Sequence, residues 1–221
     1  MTLAYPLLAE PILFAENKVS VLVIENATEL RSVLLLLQRQ CSGDKGEFVL
    51  AEDGTPMEFS RVAVLVTDPF SLEFDSRKLL TKLTQEACTA AEEFADNFHR
   101  IMVELNELGS KISLQLGFEA AFSAVESQDD LIKLMGFRVD TESLSFAEQV
   151  LEFVKLQRSF CGKKLVIFYN LKSVLSESEL CSLYQSVRYE KLNLLLIESE
   201  LRKQQKEFEN TIVVDKDLCV F

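Results

Sequence analysis

Asp68 stands where an α/β protein would place a catalytic or metal-binding carboxylate. It directly follows the apolar run 61–67, and ligands of α/β proteins collect beyond the carboxyl ends of such strands. A metal-dependent nucleotide hydrolase or nuclease could use this side chain. Asp68 is also followed by Pro69, and an Asp-Pro pair is a strong turn signal. A structural role is therefore the alternative interpretation of Asp68.

A second group of carboxylates surrounds the connection between two helix candidates. The group consists of Glu119, Glu126, Asp129 and Asp130. Ca²⁺ prefers hard oxygen ligands, so these side chains could hold a structural calcium ion together with backbone carbonyls and water. Their spacing does not match the loop of an EF-hand. Because acidic residues also stabilise a helix N-terminus, a capping role is the alternative for Asp129 and Asp130.

Positive charge is concentrated at three places, although the chain has a formal net charge of -12. The groups are Arg77, Lys78 and Lys82; Arg158, Lys163 and Lys164; and Arg202, Lys203 and Lys206. Each group could bind a phosphate backbone, whereas the net charge argues against nucleic-acid binding over the whole surface. Each could instead be a solvated helix face, and nearby glutamates, among them Glu198 and Glu209, dilute the third group.

The turn after the first buried strand candidate lacks the residues of a phosphate loop. It reads Ile24-Glu25-Asn26-Ala27-Thr28-Glu29, without glycine and without a GK[ST] ending. A backbone cradle needs glycine to approach a phosphate closely, and the lysine supplies the compensating charge. We therefore expect no bound nucleotide and no NTP hydrolysis at this turn.

The sequence offers little for nucleophilic catalysis. His99 is the only histidine and lies inside a long helical pattern, where a solvated or packing role is expected. The five cysteines are widely scattered, which fits neither a disulfide framework nor a zinc site. They are expected to be buried thiols.

Apolar periodicity places these residues on alternating strands and helices. The strand candidates are 20–24, 48–50, 61–67, 164–169, 193–198 and 211–214, and the helix candidates are 30–37, 76–109, 112–125, 129–135, 144–160 and 176–188. The run 61–67 is apolar on both faces, which predicts a central strand. Alternation of buried strands with helices predicts a mostly parallel sheet that is covered on both faces.

The segment 76–109 predicts one long helix, because its apolar residues recur at steps of three and four for about four heptads. Such a helix would be about 50 Å long. With the shorter helices it predicts a helical leg domain, residues 76–162, inserted into an α/β head domain, residues 1–75 and 163–221. No apolar run reaches the roughly 20 residues of a membrane span, and the start shows no secretory signal. We expect a cytoplasmic protein without a membrane partner.

Three short motifs, in this order, resemble the CRISPR-associated type II-A adaptation protein of the Csn family. They are Tyr5-Pro6-Leu7-Leu8-Ala9-Glu10-Pro11, Leu65-Val66-Thr67-Asp68, and Lys163-Lys164-Leu165-Val166-Ile167-Phe168-Tyr169-Asn170. The likeness covers nearly the whole chain. It implies that the head is a degenerate relative of P-loop NTPases and that the protein is not an enzyme.

The resemblance also implies an assembly. Four subunits would form a ring-shaped homotetramer, stabilised by calcium, whose opening accepts ends of linear double-stranded DNA during spacer acquisition. The CRISPR integrase complex and the RNA-guided nuclease of the same system would be its partners. The segment 118–136 is shorter and less acidic than is usual in the family, so the resemblance does not assign calcium ligands one by one.

A ring allows basic residues of four copies to line one inner surface while acidic residues face outward. The residues expected to contact DNA are Arg158, Lys163 and Lys164, followed by Arg77, Lys78 and Lys82. A scaffold that binds only protein through the long helix is the alternative to DNA binding.

Overall fold

The structure, a computed structural model, describes residues 1–15, 17–203 and 207–221. Its strands are β1 (Thr2–Ala4), β2 (Ile12–Leu13), β3 (Val19–Ile24), β4 (Val49–Glu52), β5 (Thr55–Pro56), β6 (Ala63–Val66), β7 (Leu165–Tyr169), β8 (Leu194–Glu198) and β9 (Glu209–Val214). Its α-helices are α1 (Ala27–Cys41), α2 (Phe59–Val62), α3 (Arg77–Ala91), α4 (Ala95–Gln115), α5 (Gln128–Met135), α6 (Phe146–Ser159) and α7 (Glu177–Tyr189). None of the helices in these ranges is both long and apolar enough to cross a membrane.

The chain divides into two compact units, which we call the head and the leg. The head comprises Met1–Glu73 and Thr141–Phe221, and the leg comprises Phe74–Asp140. The sequence placed α6 in the leg, whereas the structure places it in the head. The reason is that α6 packs against α7 and buries apolar residues such as Phe153 and Val154.

A five-stranded sheet forms the centre of the head. Its order is β6-β7-β8-β3-β9, and all neighbouring strands are parallel. Every residue of β3 and β8 is buried, as expected for strands that are covered on both faces. The structure thus confirms the α/β class, with a parallel sheet that is split in sequence by a helical insertion.

The run 61–67 does not form the predicted central strand. Its first residues belong to the single turn α2, and β6 lies at the edge of the sheet. The strand is nevertheless apolar because α1 packs against both α2 and β6. A covering helix therefore makes an edge strand resemble a central one in sequence.

A second sheet is antiparallel and has the order β2-β1-β4-β5. Leu3, Ile12 and Leu50 from this sheet belong to the same buried core as Leu22 and Ile24 of β3. The sequence indicated only the part around 48–50, since the other strands have two or three residues. The small sheet thus contributes buried residues to the core of the head.

The predicted long helix is interrupted once. A 3-10 turn, Glu92–Phe94, separates α3 from α4, and Phe94 has φ -114° and ψ 20°, outside the range of an α-helix. The helix predicted over 112–125 ends with α4 at Gln115. The helix predicted over 129–135 is confirmed as α5; Ser127 caps it, and Gly136 ends it in the left-handed conformation at φ 64°.

Candidate nucleic-acid interface

Three adjacent strands begin at the same edge of the parallel sheet and bring distant basic segments together. Ala63 pairs with Leu165, and Val166 pairs with Leu194. The segments that precede β6, β7 and β8 therefore lie side by side, with about 4.8 Å between neighbouring strands. We call the surface formed by residues 58–62, 158–164 and 188–193 the amino edge.

Hydrogen bonds outside the strands continue this alignment. The backbone N–H of Lys164 donates to the carbonyl of Val62 at 2.7 Å. The side-chain amide of Asn193 donates in turn to the carbonyl of Lys164 at 3.1 Å. The segments of the amino edge are thus fixed to one another before the sheet begins.

Lys163 is positioned by a neutral acceptor. Its Nζ donates to the carbonyl of Ser60 at 2.6 Å, and its backbone N–H donates to the carbonyl of Gln157 at 2.9 Å. A carbonyl oxygen carries no formal charge, so these bonds orient the ammonium group without cancelling its positive charge. Lys163 is half-buried, which limits the positions that its side chain can reach.

Arg158 is held in a similar way. It lies in the last turn of α6, is exposed, and donates from Nη1 to the carbonyl of Lys191. The bond links the end of α6 to the segment before β8. Arg158 therefore contributes positive charge to the amino edge from a fixed position.

Lys164 differs because its partner is charged. Its Nζ lies 2.5 Å from Oε2 of Glu52, and both side chains are nearly half exposed. The hydrogen bond and the charge of Lys164 lower the pKa of Glu52. Exposed ion pairs are weak, so a phosphate could replace Glu52 as the partner of Lys164.

The second predicted basic group lies in the leg. Arg77, Lys78 and Lys82 are exposed in the first two turns of α3. Within the described ranges, neither Arg77 nor Lys82 forms an ion pair. The helix dipole disfavours cations at an N-terminus, and α3 has no acidic residue in its first turn. These cations therefore do not serve to stabilise the start of α3.

Two cations of the third basic group form exposed ion pairs. Arg202 pairs with Glu200 at 2.5 Å, and Lys203 pairs with Glu177 at 2.6 Å. Lys206 lies outside the described residues. These pairs are exposed, like that of Lys164 with Glu52, so they do not by themselves decide whether the third group contacts phosphates.

The predicted calcium ligands lie on two parts of the leg. Glu119 and Glu126 follow α4, while Asp129 and Asp130 occupy the first turn of α5. In the residues that the structure describes, no three side chains of His, Cys, Asp or Glu gather at a distance that could hold a metal ion. Calcium binding stays a prediction.

Asp130 lies in the first turn of α5 and supports Ser127, which is the cap of this helix. Its Oδ2 accepts a hydrogen bond from Ser127 Oγ at 2.8 Å, and its backbone N–H donates to the same hydroxyl. Lys133 lies 3.7 Å away. The bond from Ser127 is the main cause that lowers the pKa of Asp130, and the charge of Lys133 adds to it.

The opposite end of the parallel sheet is organised around internal hydrogen bonds. We call it the carboxyl edge; it consists of residues 25–29, 67–71, 170–173, 198–203 and 215–216, which follow β3, β6, β7, β8 and β9. Asn26 lies at this edge, at the N-terminus of α1. A nucleotide-binding α/β protein would have its phosphate loop at this position. Oδ1 of Asn26 accepts from the backbone N–H groups of Thr28 and Glu29, each at 3.1 Å, and its Nδ2 donates to the carbonyl of Lys216.

Asp68 forms a turn at the same edge. Its Oδ1 accepts from the backbone N–H of Phe70 at 3.0 Å, and its Oδ2 accepts from Ser71 Oγ at 2.5 Å. The bonds from Ser71 and Phe70 lower the pKa of Asp68. This geometry supports the structural interpretation of Asp68, since both carboxylate oxygens already serve the turn.

A buried ionic cluster in the head was missed by sequence reasoning. Lys172 Nζ lies 2.7 Å from Oε1 of Glu209, with side chains only 4% and 1% exposed. Tyr184 donates its hydroxyl to the same oxygen at 2.9 Å. Glu209 was interpreted as a surface charge that dilutes the third basic group, and this was wrong because it is enclosed.

Glu198, interpreted in the same way, is also buried. Its Oε1 accepts from the backbone N–H of Lys172 at 3.0 Å, while its Oε2 has no hydrogen-bond partner among the described residues. Burial raises the pKa of Glu198 to about 7, against the lowering effect of Lys172 and Arg202. The sequence signal was present: Glu198 ends an otherwise apolar run.

The cysteines and His99 lie apart from these clusters. Only Cys161 is buried, whereas Cys219 is exposed and the other three are partly exposed. The prediction of buried thiols is therefore wrong for four of the five cysteines, because most of them lie on partly exposed helix faces. His99 is exposed on α4.

Comparison of the sequence with known proteins identifies a protein family that it matches. A family model described as CRISPR-associated protein (Cas_Csn2) matches residues 40–218. The CRISPR-associated protein Csn2 of Enterococcus faecalis is 24% identical over 110 residues, which are 47% of this chain and 50% of that relative. The match thus spans about half the length of the curated relative.

Among solved structures, the chain is distantly similar to ATP-binding cassette proteins. One is cbiO1 from Clostridium perfringens, part of the ABC transporter complex cbiONQ, with a TM-score of 0.49 and 12% identity over 94% of this chain and 77% of its own. Another is a dimeric ATP-binding cassette in a post-hydrolysis state bound to ADP and Pi. Its TM-score is 0.42, with 9% identity over 93% of this chain and 84% of its own.

Proposed function

The chain belongs to the Csn2 family of CRISPR-associated proteins, and we propose that it binds the ends of linear double-stranded DNA as a ring-shaped homotetramer. In this role it would support spacer acquisition, the adaptation step of type II-A CRISPR immunity. Its partners would be the CRISPR integrase complex and the RNA-guided nuclease of the same system. The protein would have no enzymatic activity of its own.

The observation that carries the proposal is the amino edge. Two of its basic residues, Lys163 and Arg158, bond to neutral backbone carbonyls, and Lys164 has only an exposed partner. Fixed positive charges of this kind suit phosphates and require no particular base sequence. Arg77, Lys78 and Lys82 in the leg are the second candidates for phosphate contacts.

The carboxyl edge supports a role without nucleotide hydrolysis. Asn26 fills the N-terminus of α1 with its own side chain, and the turn has no glycine that would let a phosphate approach the backbone. Asp68 is engaged in a turn. Both observations weigh against the alternative of a metal-dependent nucleotide hydrolase or nuclease.

Exposed apolar side chains on α4 support self-association. They are Ile101, Val103, Leu105, Leu108, Ile112 and Leu114. Ile101, Leu105, Leu108 and Ile112 recur at steps of three and four, so they share one face of α4, and an exposed apolar face often marks a protein interface. Four copies would also multiply the positive charge of each amino edge, which offsets the acidic composition of a single chain.

Calcium is proposed only as a structural ion of the assembled ring. The candidate ligands are Glu119, Glu126, Asp129 and Asp130. They do not form a cluster within the described part of one chain, so the proposal requires oxygen ligands from more than one copy or from backbone carbonyls.

The proposal is tested by measuring binding to a linear duplex and to the same duplex closed into a circle, with and without Ca²⁺. Light scattering gives the mass of the protein in the same buffers. We expect a tetramer that binds the linear form and discriminates against the circle, with affinity that falls steeply with salt. Failure to bind either form would refute DNA binding and favour a scaffold that binds only protein.

A further inference from the structure

The register of the parallel sheet aligns the starts of three strands, each of which is preceded closely by a cation. Ala63 pairs with Leu165, and Leu165 lies level with Asn193 because the next residues, Val166 and Leu194, are paired. Two positions before each of these residues, the chain carries a cation. These cations are Arg61, Lys163 and Lys191.

The row formed by Arg61, Lys163 and Lys191 crosses the amino edge from β6 to β8. Neighbouring parallel strands are about 4.8 Å apart, so the starts of β6, β7 and β8, which follow these cations, span about 10 Å. Duplex DNA carries one negative charge for about every 1.7 Å of its axis. A row of this length can therefore meet several phosphates at once.

Arg61 stands at the outer end of the row. Its Nε lies 2.7 Å from Oε2 of Glu58, and the two side chains are 79% and 59% exposed. The next residue back, Ser60, provides the carbonyl that binds Lys163 Nζ. The Lys163 ammonium group thus binds the peptide group that joins Ser60 to Arg61. The guanidinium group of Arg61 remains accessible to solvent.

Lys191 stands at the other end and is exposed. Its backbone has φ 52°, its N–H donates to the carbonyl of Arg188 at 3.1 Å, and its own carbonyl accepts from Arg158. This turn fixes the point from which the Lys191 side chain leaves the backbone. It also places Arg158 next to the row.

We propose that Arg61 and Lys191 are phosphate-contacting residues that extend the site of Arg158, Lys163 and Lys164 into a continuous row across the amino edge. The ligand is the phosphodiester backbone of duplex DNA, bound without regard to sequence. The inference rests on the proposed function and adds two residues that no local pattern of the sequence singles out.

The test compares two double variants of the full-length chain that remove the same charge. Arg61→Gln with Lys191→Gln changes the ends of the row. Arg31→Gln with Lys216→Gln is the matched control, since both residues are exposed and lie at the opposite end of the sheet, near the Asn26 cap. Binding to a linear duplex is measured over a series of salt concentrations.

Each phosphate contact contributes about 0.9 to the slope of log K against log salt concentration. The row variant is expected to lower the magnitude of the slope by about 2, whereas the control variant keeps the wild-type slope. Light scattering and thermal unfolding, measured in parallel, are expected to match the wild type for both variants.

The outcomes separate this inference from the proposed function. If the wild type binds no duplex, the proposed function fails and the row fails with it. If the wild type binds and both variants keep its slope, only the row is refuted. If the row variant changes the mass of the assembly and leaves the slope unchanged, the amino edge contacts another copy of the chain, which also refutes the inference.

Discussion

The two ends of the head sheet use their polar residues in opposite ways. At the carboxyl edge, Asn26 and Asp68 satisfy backbone groups of their own turns, and Glu198 is enclosed. At the amino edge, Arg61 and Lys164 keep exposed charged groups. Ligands of α/β proteins usually bind at the carboxyl ends of strands. In this chain Asn26, Asp68 and Glu198 at that end serve structure, and the anion-binding surface that we propose lies at the other end.

The largest effect is expected from breaking the buried ion pair. Lys172→Met removes the cation from Glu209 and leaves a buried carboxylate without its charged partner. We expect a loss of about 3–5 kcal/mol in the free energy of unfolding, measured by urea denaturation. Lys203→Met, which removes an exposed pair with Glu177, is the control and should cost less than about 1 kcal/mol.

Equal losses in the two variants would contradict the division between a structural and a binding end of the sheet. The ion pair of Lys172 with Glu209 would then contribute no more than an exposed ion pair. The buried cluster of Lys172, Glu198 and Glu209 would not anchor the residues after β7 and β8.

Charge reversal at the amino edge is expected to act mainly on DNA binding, with a smaller loss of stability because the bonds to the carbonyls of Ser60 and Lys191 are removed. Changing Arg158, Lys163 and Lys164 to Glu places negative charge where the phosphates are proposed to bind. We expect duplex affinity to fall by a factor on the order of 10² at moderate salt. Electrophoretic mobility shifts measure the loss, and an unchanged affinity would remove these residues from the DNA-binding site.

The protonation of Glu198 gives a smaller effect with a defined sign. Its pKa in the folded chain is about 7, above the ordinary value of 4.5, so the folded state holds a proton that the unfolded state has lost. The groups around it are Lys172, Arg202 and Glu209, with Tyr184 nearby. Stability from this group is complete below pH 4.5 and is lost as the pH rises through 7.

Urea denaturation between pH 5 and pH 8 measures this effect. In the wild type, Glu198 should lower the free energy of unfolding by at most about 1.4 kcal/mol for each pH unit up to 7, and not further above it. Glu198→Gln should remove this contribution, whereas Glu200→Gln, at an exposed neighbour, should keep it. Identical pH profiles in both variants would show that Glu198 is ionised in the folded chain.

The smallest effect is expected at the Asn26 cap. Asn26→Ala leaves the N–H groups of Thr28 and Glu29 without their acceptor and should cost about 1 kcal/mol of stability. Asn26→Asp retains the acceptor and should cost less. DNA affinity should be the same in both variants, and a lower affinity would show that the carboxyl edge takes part in binding.

Local patterns in the sequence predicted most of the elements, and the structure shows why some predictions were wrong. Apolar runs predicted β3, β7 and β8, and apolar periodicity predicted α5. The order of strands across the sheet is not a local property. The edge position of β6 therefore could not be read from 61–67, which is apolar because α1 covers it.

The candidate site was predictable only in part for the same reason. Lys163 and Lys164 are adjacent in sequence and stand out as a basic group. Arg61 and Lys191 join them because the starts of β6, β7 and β8 are adjacent and because hydrogen bonds link Ser60 to Lys163 and Lys191 to Arg158, which no local pattern contains. Glu198 and Glu209 seemed to be surface charges because their buried partner, Lys172, comes from a distant segment.

Lysine acetylation with and without a linear duplex tests most directly which end of the sheet binds DNA. Mass spectrometry reports the reactivity of Lys164 and Lys191 at the amino edge and of Lys203 and Lys216 at the carboxyl edge, all four of which are exposed. We predict that the duplex protects Lys164 and Lys191 and leaves Lys203 and Lys216 unchanged. Protection of Lys203 and Lys216 alone would contradict the account and place the DNA at the opposite end of the sheet.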